Sequence, residues 1–230
     1  MIDVSTSERN IEAAKLADII ILGCKPSVLP EILTEDLVGT MEKSGQHKVL
    51  VSLAGGVRLD DIERLYESMH QSAAEYHTKL VRAISNIAAS VQQSVTMCSS
   101  RTVGGLEQIT HLFNLFGWTE WVAEEHMYTG SAIGASSLAL YAAILKAVAS
   151  SASEMPPEDA LRLAALAMQG TATLALQGQA PEQIIEKVAT PGGSTEAGLR
   201  VLEVQGVEPA VIEAIRETTQ ATRTMGNVTK

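Results

Sequence analysis

A run of hydroxyl and glycine residues at 190–195 carries the clearest chemical pattern in this sequence of 230 residues. It reads Thr-Pro-Gly-Gly-Ser-Thr and leads into a segment with helical character, from Ser194 to about Gln205. Glycines allow backbone N–H groups to approach a bound group closely, and Ser194 is a favourable N-cap residue. The unpaired amides of a helix N-terminus favour an anion such as a carboxylate. The pattern predicts a site for a small anion, with hydroxyls from Thr190 and Thr195, although spacing alone leaves open a plain turn between two helices.

Composition and charge narrow the classes of partner. The net charge is −10 and the isoelectric point is near 5.0, which disfavours a nucleic-acid or anionic-membrane surface. The two cysteines form no disulfide framework and the five histidines show no ligand spacing, so no metal site is expected. Residues 1–6 lack the basic and apolar regions of a secretion signal. The long apolar segment 132–152 is interrupted by serines and Lys146, which favours burial in protein over lipid contact. A cytoplasmic protein with no membrane partner is expected.

Short apolar runs rich in β-branched residues alternate with helical patterns in the first half of the chain. Strands are predicted at 19–23, 49–53, 80–84, 94–98 and 120–123, and helices at 10–17, 28–38, 59–69 and 105–116. This alternation indicates a doubly wound α/β sheet, in which ligands bind outside the carboxyl ends of the strands. Three such strand ends carry Lys25-Pro26, Ala54-Gly55-Gly56 and Ser85-Asn86. Each alone would also fit an ordinary connector, but together they predict a ligand site.

Only helical patterns follow residue 125. They cover residues 130–153, 158–177, 181–188, 194–205 and 208–225. The first two are apolar on nearly all sides, so they need burial on more than one side. About a hundred residues offer little cover, which predicts a subunit interface, with a monomeric helical domain as the alternative. The sequence therefore predicts two domains, 1–125 and 126–230.

Taken in order, four segments of the sequence resemble the pyrroline-5-carboxylate reductase family. They are residues 17–26, 52–57, 81–86 and 190–199. The resemblance covers nearly the whole chain and implies an α/β Rossmann-like N-terminal domain followed by an all-α C-terminal dimerisation domain. It also implies NAD(P)H-dependent reduction of a cyclic imine carboxylate, most simply 1-pyrroline-5-carboxylate to proline. A homodimer or higher homo-oligomer through the C-terminal helices is expected.

The same resemblance implies roles for single residues. Thr195 matches a hydroxyl residue near the imine nitrogen and is the candidate catalytic donor. The substrate carboxylate is expected to bind at Thr190, Gly192, Gly193, Ser194 and Thr195. The positions expected near the dinucleotide are Asn10, Lys25, Pro26, Ala54, Gly55 and Asn86. NADP or NAD is the implied cofactor, with NADPH favoured, and the protein's part is to orient the imine and offer a proton donor.

Three features depart from the family pattern. The family begins with a strand, a G-x-G-x-x-G turn and a helix, and none of these occurs in this sequence, so an incomplete Rossmann-like domain is expected. The family's Ser-Gly-Ser-Gly-Pro before the first C-terminal helix reads Ala-Ile-Gly-Ala-Ser at 132–136, and its Asn-Thr-Pro reads Asn86-Ile87-Ala88. These differences leave open a substituted pyrroline carboxylate as substrate, or a non-redox binding or regulatory role. A β-hydroxyacid type of reductase shares the strand-end pattern and is a further alternative.

Overall fold

The structure is a computed structural model that describes residues 9–43, 47–70, 77–102 and 104–225. The segment 1–6, considered above for a secretion signal, lies outside the described residues. The chain divides into two compact units. The first is drawn from Met1–Ser136 and Glu217–Lys230, and the second is Ser137–Arg216. The domain limit between residues 125 and 126 stays a prediction.

Among the residues that the structure describes, a five-stranded sheet forms the centre of the first unit, in the order β1-β2-β3-β4-β5. Its strands are β1 (Ile19–Leu22), β2 (Val49–Ser52), β3 (Lys79–Ile84), β4 (Ser94–Ser99) and β5 (Gly117–Trp121). Its helices are α1 (Asn10–Leu16), α2 (Leu29–Ile32), α3 (Glu35–Lys43), α4 (Leu59–Met69), α5 (Glu107–Asn114) and α6 (Met127–Ser131). All five predicted strands are confirmed, although β5 begins earlier in the sequence than predicted.

The first three strands are parallel and in register, with Leu22 beside Ser52 and Ser52 beside Arg82. Every residue of β2 is buried. Leu50 packs in one apolar cluster with residues of α3 and α4, while Val49 and Val51 pack in another with residues of α5. Strands covered on both faces need continuous apolar runs, which explains the runs that predicted them.

The sheet is mixed, because β3 and β4 are antiparallel, with Ala83 opposite Cys98. Parallel neighbours require a crossover of a dozen or more residues, and residues 85–93 are too few for one. They form instead a short 3-10 segment, Ile87–Val91, followed by Gln92 in the left-handed region with φ 59°. The following strand, β5, returns to a parallel pairing with β4.

The predicted helix over residues 28–38 is interrupted. Pro26–Val28 forms a 3-10 turn, α2 ends at Ile32 and α3 begins at Glu35. The Thr34 hydroxyl accepts a hydrogen bond from the Leu37 amide at 3.3 Å. A side chain that bonds a first-turn amide in this way starts a new helix, so the apolar spacing continues across a break in the backbone.

Only helices occur among residues 122–225. They include α7 (Ser137–Ser150), α8 (Pro157–Leu176), α9 (Pro181–Val188), α10 (Ser194–Val204) and α11 (Val207–Met225), which confirms the helical prediction. Large apolar side chains are exposed on several of them, among them Tyr141, Leu161 and Leu166. The helical stretch Glu124–Ser150 is long and apolar enough to cross a membrane by length and composition, and 11% of its most apolar window is buried within the chain. These helices therefore carry apolar surface that the described residues do not cover.

Candidate active site

Residues of the predicted dinucleotide site lie at one edge of the sheet. Lys25 and Pro26 follow β1, Ala54 and Gly55 follow β2, and Asn86 follows β3. Because these three strands are parallel, their carboxyl ends share that edge. The structure thus brings the three predicted strand-end segments to the same side of the fold, which is where ligands bind in α/β sheets.

A mostly apolar groove of about 430 Å³ runs along β1 and α1. Asn10, the sixth residue of the predicted dinucleotide set, lines this groove together with Gly23 and Cys24 at the end of β1. Asn10 and Lys25 are exposed, whereas Ala54 is buried. The groove therefore connects the start of α1 with the residue that directly precedes Lys25.

The loop between β2 and α4, residues 53–58, is held by side chains from far along the sequence. Gly56 is buried and adopts φ 81°, which favours glycine. Its carbonyl oxygen accepts a hydrogen bond of 3.2 Å from the Tyr128 hydroxyl. The amide of Leu59, the first residue of α4, donates to Glu124 Oε1 at 3.2 Å. Tyr128 and Glu124 thus both hold the loop that carries Ala54 and Gly55.

Arg82 completes this group of residues. Its side chain is fully buried on β3, pairs through Nη1 with Glu124 Oε1, and places its guanidinium carbon 5.0 Å from the centroid of the Tyr128 ring. Among the described residues, Arg82 Nε and Nη2 and Glu124 Oε2 have no hydrogen-bond partner. No motif in the sequence predicted this group of residues. Its signal was an arginine inside a buried apolar strand, which requires a buried partner of opposite charge.

The Asn86 side chain organises the backbone around it. Its carbonyl oxygen accepts a hydrogen bond from the Ala88 amide at 2.9 Å, and its amide nitrogen donates to the Gly134 carbonyl at 2.8 Å. A proline at position 88, as in the family pattern, would have no N–H to donate. Gly134 lies in the π-helical segment Ala132–Ser136, so both divergent segments of the sequence meet at Asn86.

The predicted substrate residues also come together, in the loop before α10. Gly192 adopts φ 72°, and a Cβ on Gly193 would lie 2.7 Å from Thr190 Oγ1. The N-cap of α10 is Gly193, so the prediction of Ser194 as N-cap is wrong. The reason is a tight turn in which the Gly193 amide donates to the Thr190 carbonyl at 2.9 Å, which makes Ser194 the first helical residue.

The amides in this exposed loop differ in their availability. The Gly192 amide donates to Glu196 Oε2 at 2.6 Å, and the Gly193 amide is used in the turn. Amides in the first turn of a helix have no partner within the helix, which applies to Ser194 and Thr195. The loop therefore already binds one carboxylate, its own, and presents two further amides beside the hydroxyls of Thr190 and Thr195.

Neither cysteine has the surroundings of a reactive thiol. Cys98 is buried in the sheet, and burial raises the pKa of its thiol to about 12. Burial also raises the pKa of the half-buried Cys24. Within the described ranges, no three His, Cys, Asp or Glu side chains are grouped so that they could hold a metal ion.

The fold and the site define a class of protein, a Rossmann-like α/β unit with a strand-end site joined to a helical region. Residues 124–225 match the family profile described as pyrroline-5-carboxylate reductase dimerisation. A pyrroline-5-carboxylate reductase of Penicillium fellutanum is 34% identical over 94% of this chain and 69% of its own length. The chain belongs to the pyrroline-5-carboxylate reductase family, which confirms the resemblance.

Solved structures show the same fold. A pyrroline-5-carboxylate reductase from Coxiella burnetii matches with a TM-score of 0.80 and 25% identity, over 94% of this chain and 78% of that one. The pyrroline carboxylate reductase of Plasmodium falciparum, solved with NADP bound, matches with a TM-score of 0.78 and 21% identity, over 94% and 80%. The predicted fold class is confirmed. The family match also identifies the C-terminal helices as a dimerisation domain, which accounts for their exposed apolar side chains and supports a homo-oligomer.

Proposed function

We propose that this protein reduces 1-pyrroline-5-carboxylate to proline with NADPH or NADH, with NADPH favoured, as a homodimer or higher homo-oligomer in the cytoplasm. The observation that carries the proposal is the helix start at 190–195, set in a chain 34% identical over 94% of its length to a named reductase of this substrate. The substrate is a small cyclic imine carboxylate, and no nucleic-acid or membrane partner is proposed.

The substrate carboxylate is assigned to the N-terminus of α10. The amides of Ser194 and Thr195 supply donors, the helix N-terminus supplies a favourable field, and Thr190 supplies a hydroxyl. Gly192 and Gly193 allow the turn that aims these groups, since neither position tolerates an ordinary side chain without strain. Glu196 holds the Gly192 amide, so its carboxylate serves the loop and not the substrate.

The residues at the strand ends fit a dinucleotide. Gly55 is exposed, and a Cβ there would meet nothing within 4 Å, so a ligand can approach the backbone. Lys25, beside Pro26, carries an exposed positive charge that can bind a phosphate. Asn10 lines the groove along β1. Ala54 and Asn86 complete the edge. When bound, the nicotinamide cofactor supplies the hydride.

Thr195 is the proposed donor to the imine nitrogen. Reduction of the C=N double bond to a C–N single bond leaves the nitrogen one proton short of the secondary amine. Solvent water supplies that proton through the Thr195 hydroxyl, which regains its own proton from the water. A hydroxyl hydrogen bond to that nitrogen stabilises the charge that moves there. Fixing the ring by its carboxylate orients the imine carbon for attack.

Direct assay tests the proposal. Purified protein is mixed with 1-pyrroline-5-carboxylate and NADPH or NADH, and both cofactor oxidation and proline formation are followed. Proline formed in proportion to NADPH consumed is the expected result. Oxidation only with ring-substituted pyrroline carboxylates would transfer the activity to a modified imine, the alternative that the altered 132–136 and 86–88 segments favour. No oxidation with any imine would favour a non-redox role.

A further inference from the structure

Two half-buried side chains that the proposed chemistry does not use, Glu124 and Tyr128, bond the backbone between β2 and the start of α4, and both contact the buried Arg82. We propose that Glu124 and Tyr128 are positioning residues that fix residues 54–59 and thereby raise the affinity of the strand-end site for its nicotinamide cofactor. The first half of this inference concerns the loop alone. The second half rests on the proposed function.

Glu124 acts on the start of α4. Its Oε1 accepts a hydrogen bond of 3.2 Å from the amide of Leu59, a residue 65 positions earlier in the sequence. The first amides of a helix lack partners within it, and a carboxylate near them is favourable. The neighbouring Arg58 amide is bonded by Asp61 Oδ2 at 3.3 Å. The helix start is thus fixed from both sides, once by its own helix and once by Glu124.

Tyr128 acts on the other half of the loop. Its hydroxyl donates a hydrogen bond to the carbonyl oxygen of Gly56, whose backbone lies in the left-handed region. Its ring lies against the Arg82 guanidinium, 5.0 Å from the centroid, and the Arg223 guanidinium carbon is 5.9 Å from the same centroid. A cation over an aromatic face attracts the ring and restrains it. The position of the Tyr128 hydroxyl is therefore restrained as well.

The energetics of the group favour a positioning role over a stabilising one. A buried ion pair gains little net stability because desolvation offsets its attraction. Buried groups without partners add a further cost, and this group contains Arg82 Nε, Arg82 Nη2 and Glu124 Oε2. Apolar residues of similar volume would fill the space more cheaply. What apolar residues could not do is bond the Leu59 amide and the Gly56 carbonyl.

Both residues lie at the beginning of the segment that matches the dimerisation profile. Glu124 is the first residue matched by the dimerisation profile, and Tyr128 lies one turn later in α6. The loop that carries Ala54 and Gly55 is therefore fixed by the beginning of the dimerisation region and not by the sheet alone.

The test compares Tyr128→Phe with Tyr66→Phe as a matched control. Both variants lose a hydroxyl that donates a hydrogen bond, to Gly56 O in the first and to Glu42 Oε1 at 2.6 Å in the second. Two readouts are taken: backbone amide hydrogen exchange of residues 54–59 and the Kd for NADPH. We expect Tyr128→Phe alone to speed exchange in the loop and to raise the Kd roughly threefold to tenfold, the equivalent of one hydrogen bond. Exchange in β2 should be unchanged.

Each outcome decides one half of the inference. Unchanged exchange at 54–59 in Tyr128→Phe overturns the positioning role. Faster exchange with an unchanged NADPH Kd overturns the link to the cofactor. If the wild-type protein binds neither NADPH nor NADH, the proposed function is wrong, and so is the effect of the loop on cofactor affinity. The hydrogen-exchange measurement still decides whether Glu124 and Tyr128 position the loop. Glu124→Asp, which keeps the charge near Arg82 but draws the carboxylate back from Leu59, should speed exchange at Leu59 and serves as the second variant.

Discussion

The two predicted binding regions are constructed in opposite ways. The strand-end region depends on buried side chains brought from far along the chain, with Arg82 fully buried and Glu124 Oε1 bonded 65 residues away at Leu59. The loop before α10 is exposed, and its turn is held by hydrogen bonds that join residues within 190–197. One region is a product of tertiary packing and the other of local backbone geometry. Loss of a buried charge in the first region should therefore lower the free energy of unfolding, whereas substitutions in the second region should mainly change substrate binding and turnover.

The largest expected effect lies in the strand-end region. Glu124→Gln leaves the Arg82 charge buried without a counterion, because the Glu124 side chain is 18% exposed and that of Arg82 0%. Breaking a buried pair in this way costs about 3–5 kcal/mol of unfolding free energy, measured by urea denaturation. The adjacent Glu125→Gln, at a side chain 79% exposed, should cost almost nothing. Equal effects of the two variants would contradict the contrast between the regions.

Thr195→Ala should give the largest kinetic effect. Removal of a proton donor to the imine nitrogen is expected to lower kcat by about a hundredfold, while the exposed position leaves the unfolding midpoint unchanged. Thr195→Ser keeps the hydroxyl and should recover most of the activity. Unchanged kinetics in Thr195→Ala would remove this residue from the proposed mechanism.

Gly193→Ala should raise the KM for the imine roughly tenfold, about the value of one hydrogen bond to a charged group. The new Cβ would lie 2.7 Å from Thr190 Oγ1 and 2.9 Å from Thr190 O, so the turn must shift. Gly198→Ala is the control, since it lies in the same helix with nothing within 4 Å of the added carbon. That variant should leave the KM unchanged and gain up to about 1 kcal/mol of stability.

The smallest expected effect is that of Glu42 in the first unit, where a substitution should change the free energy of unfolding but not the affinity for NADPH. Burial alone would raise the pKa of Glu42, but hydrogen bonds from the His77 amide, from Thr78 and from the Tyr66 hydroxyl lower it below 4.5. A lowered folded pKa contributes stability above the ordinary pKa, and this is lost as pH falls through the folded value. Glu42→Gln should therefore cost about 1 kcal/mol at neutral pH.

The pH dependence checks that assignment. The difference between Glu42→Gln and wild type should shrink when urea denaturation is repeated below pH 4.5, the ordinary value for this group. Glu67→Gln, an exposed position on α4, is the control and should show no such trend. The Kd for NADPH should not change in Glu42→Gln. A change there would mean that loop positioning is not confined to Glu124 and Tyr128.

Local features were predictable from the sequence. β-Branched runs predicted the five strands, and the Pro-Gly-Gly turn predicted the start of α10, because both signals act over a few residues. The N-cap is Gly193 and not the predicted Ser194, because the Gly193 amide donates a hydrogen bond to the Thr190 carbonyl and so closes the turn one residue earlier. The antiparallel β3–β4 pair depended on the length of the connection, which the apolar pattern does not report.

Long-range contacts were not predictable in the same way. Arg82 and Glu124 are 42 residues apart and Tyr128 and Gly56 are 72 apart, so no local pattern links them. An arginine in a buried strand indicates that a partner exists but not which carboxylate provides it. The exposed apolar helices were predictable as an interface, because their composition alone exceeds what one chain can cover.

We propose that this chain is a nicotinamide-dependent imine reductase. The most direct test of this claim is a titration of the purified protein with NADPH and with NADH, followed by nucleotide fluorescence. Saturable binding in the micromolar range, tighter for NADPH, is the predicted result. Absence of binding by both nucleotides would contradict the claim and favour a non-redox role for the carboxylate site before α10.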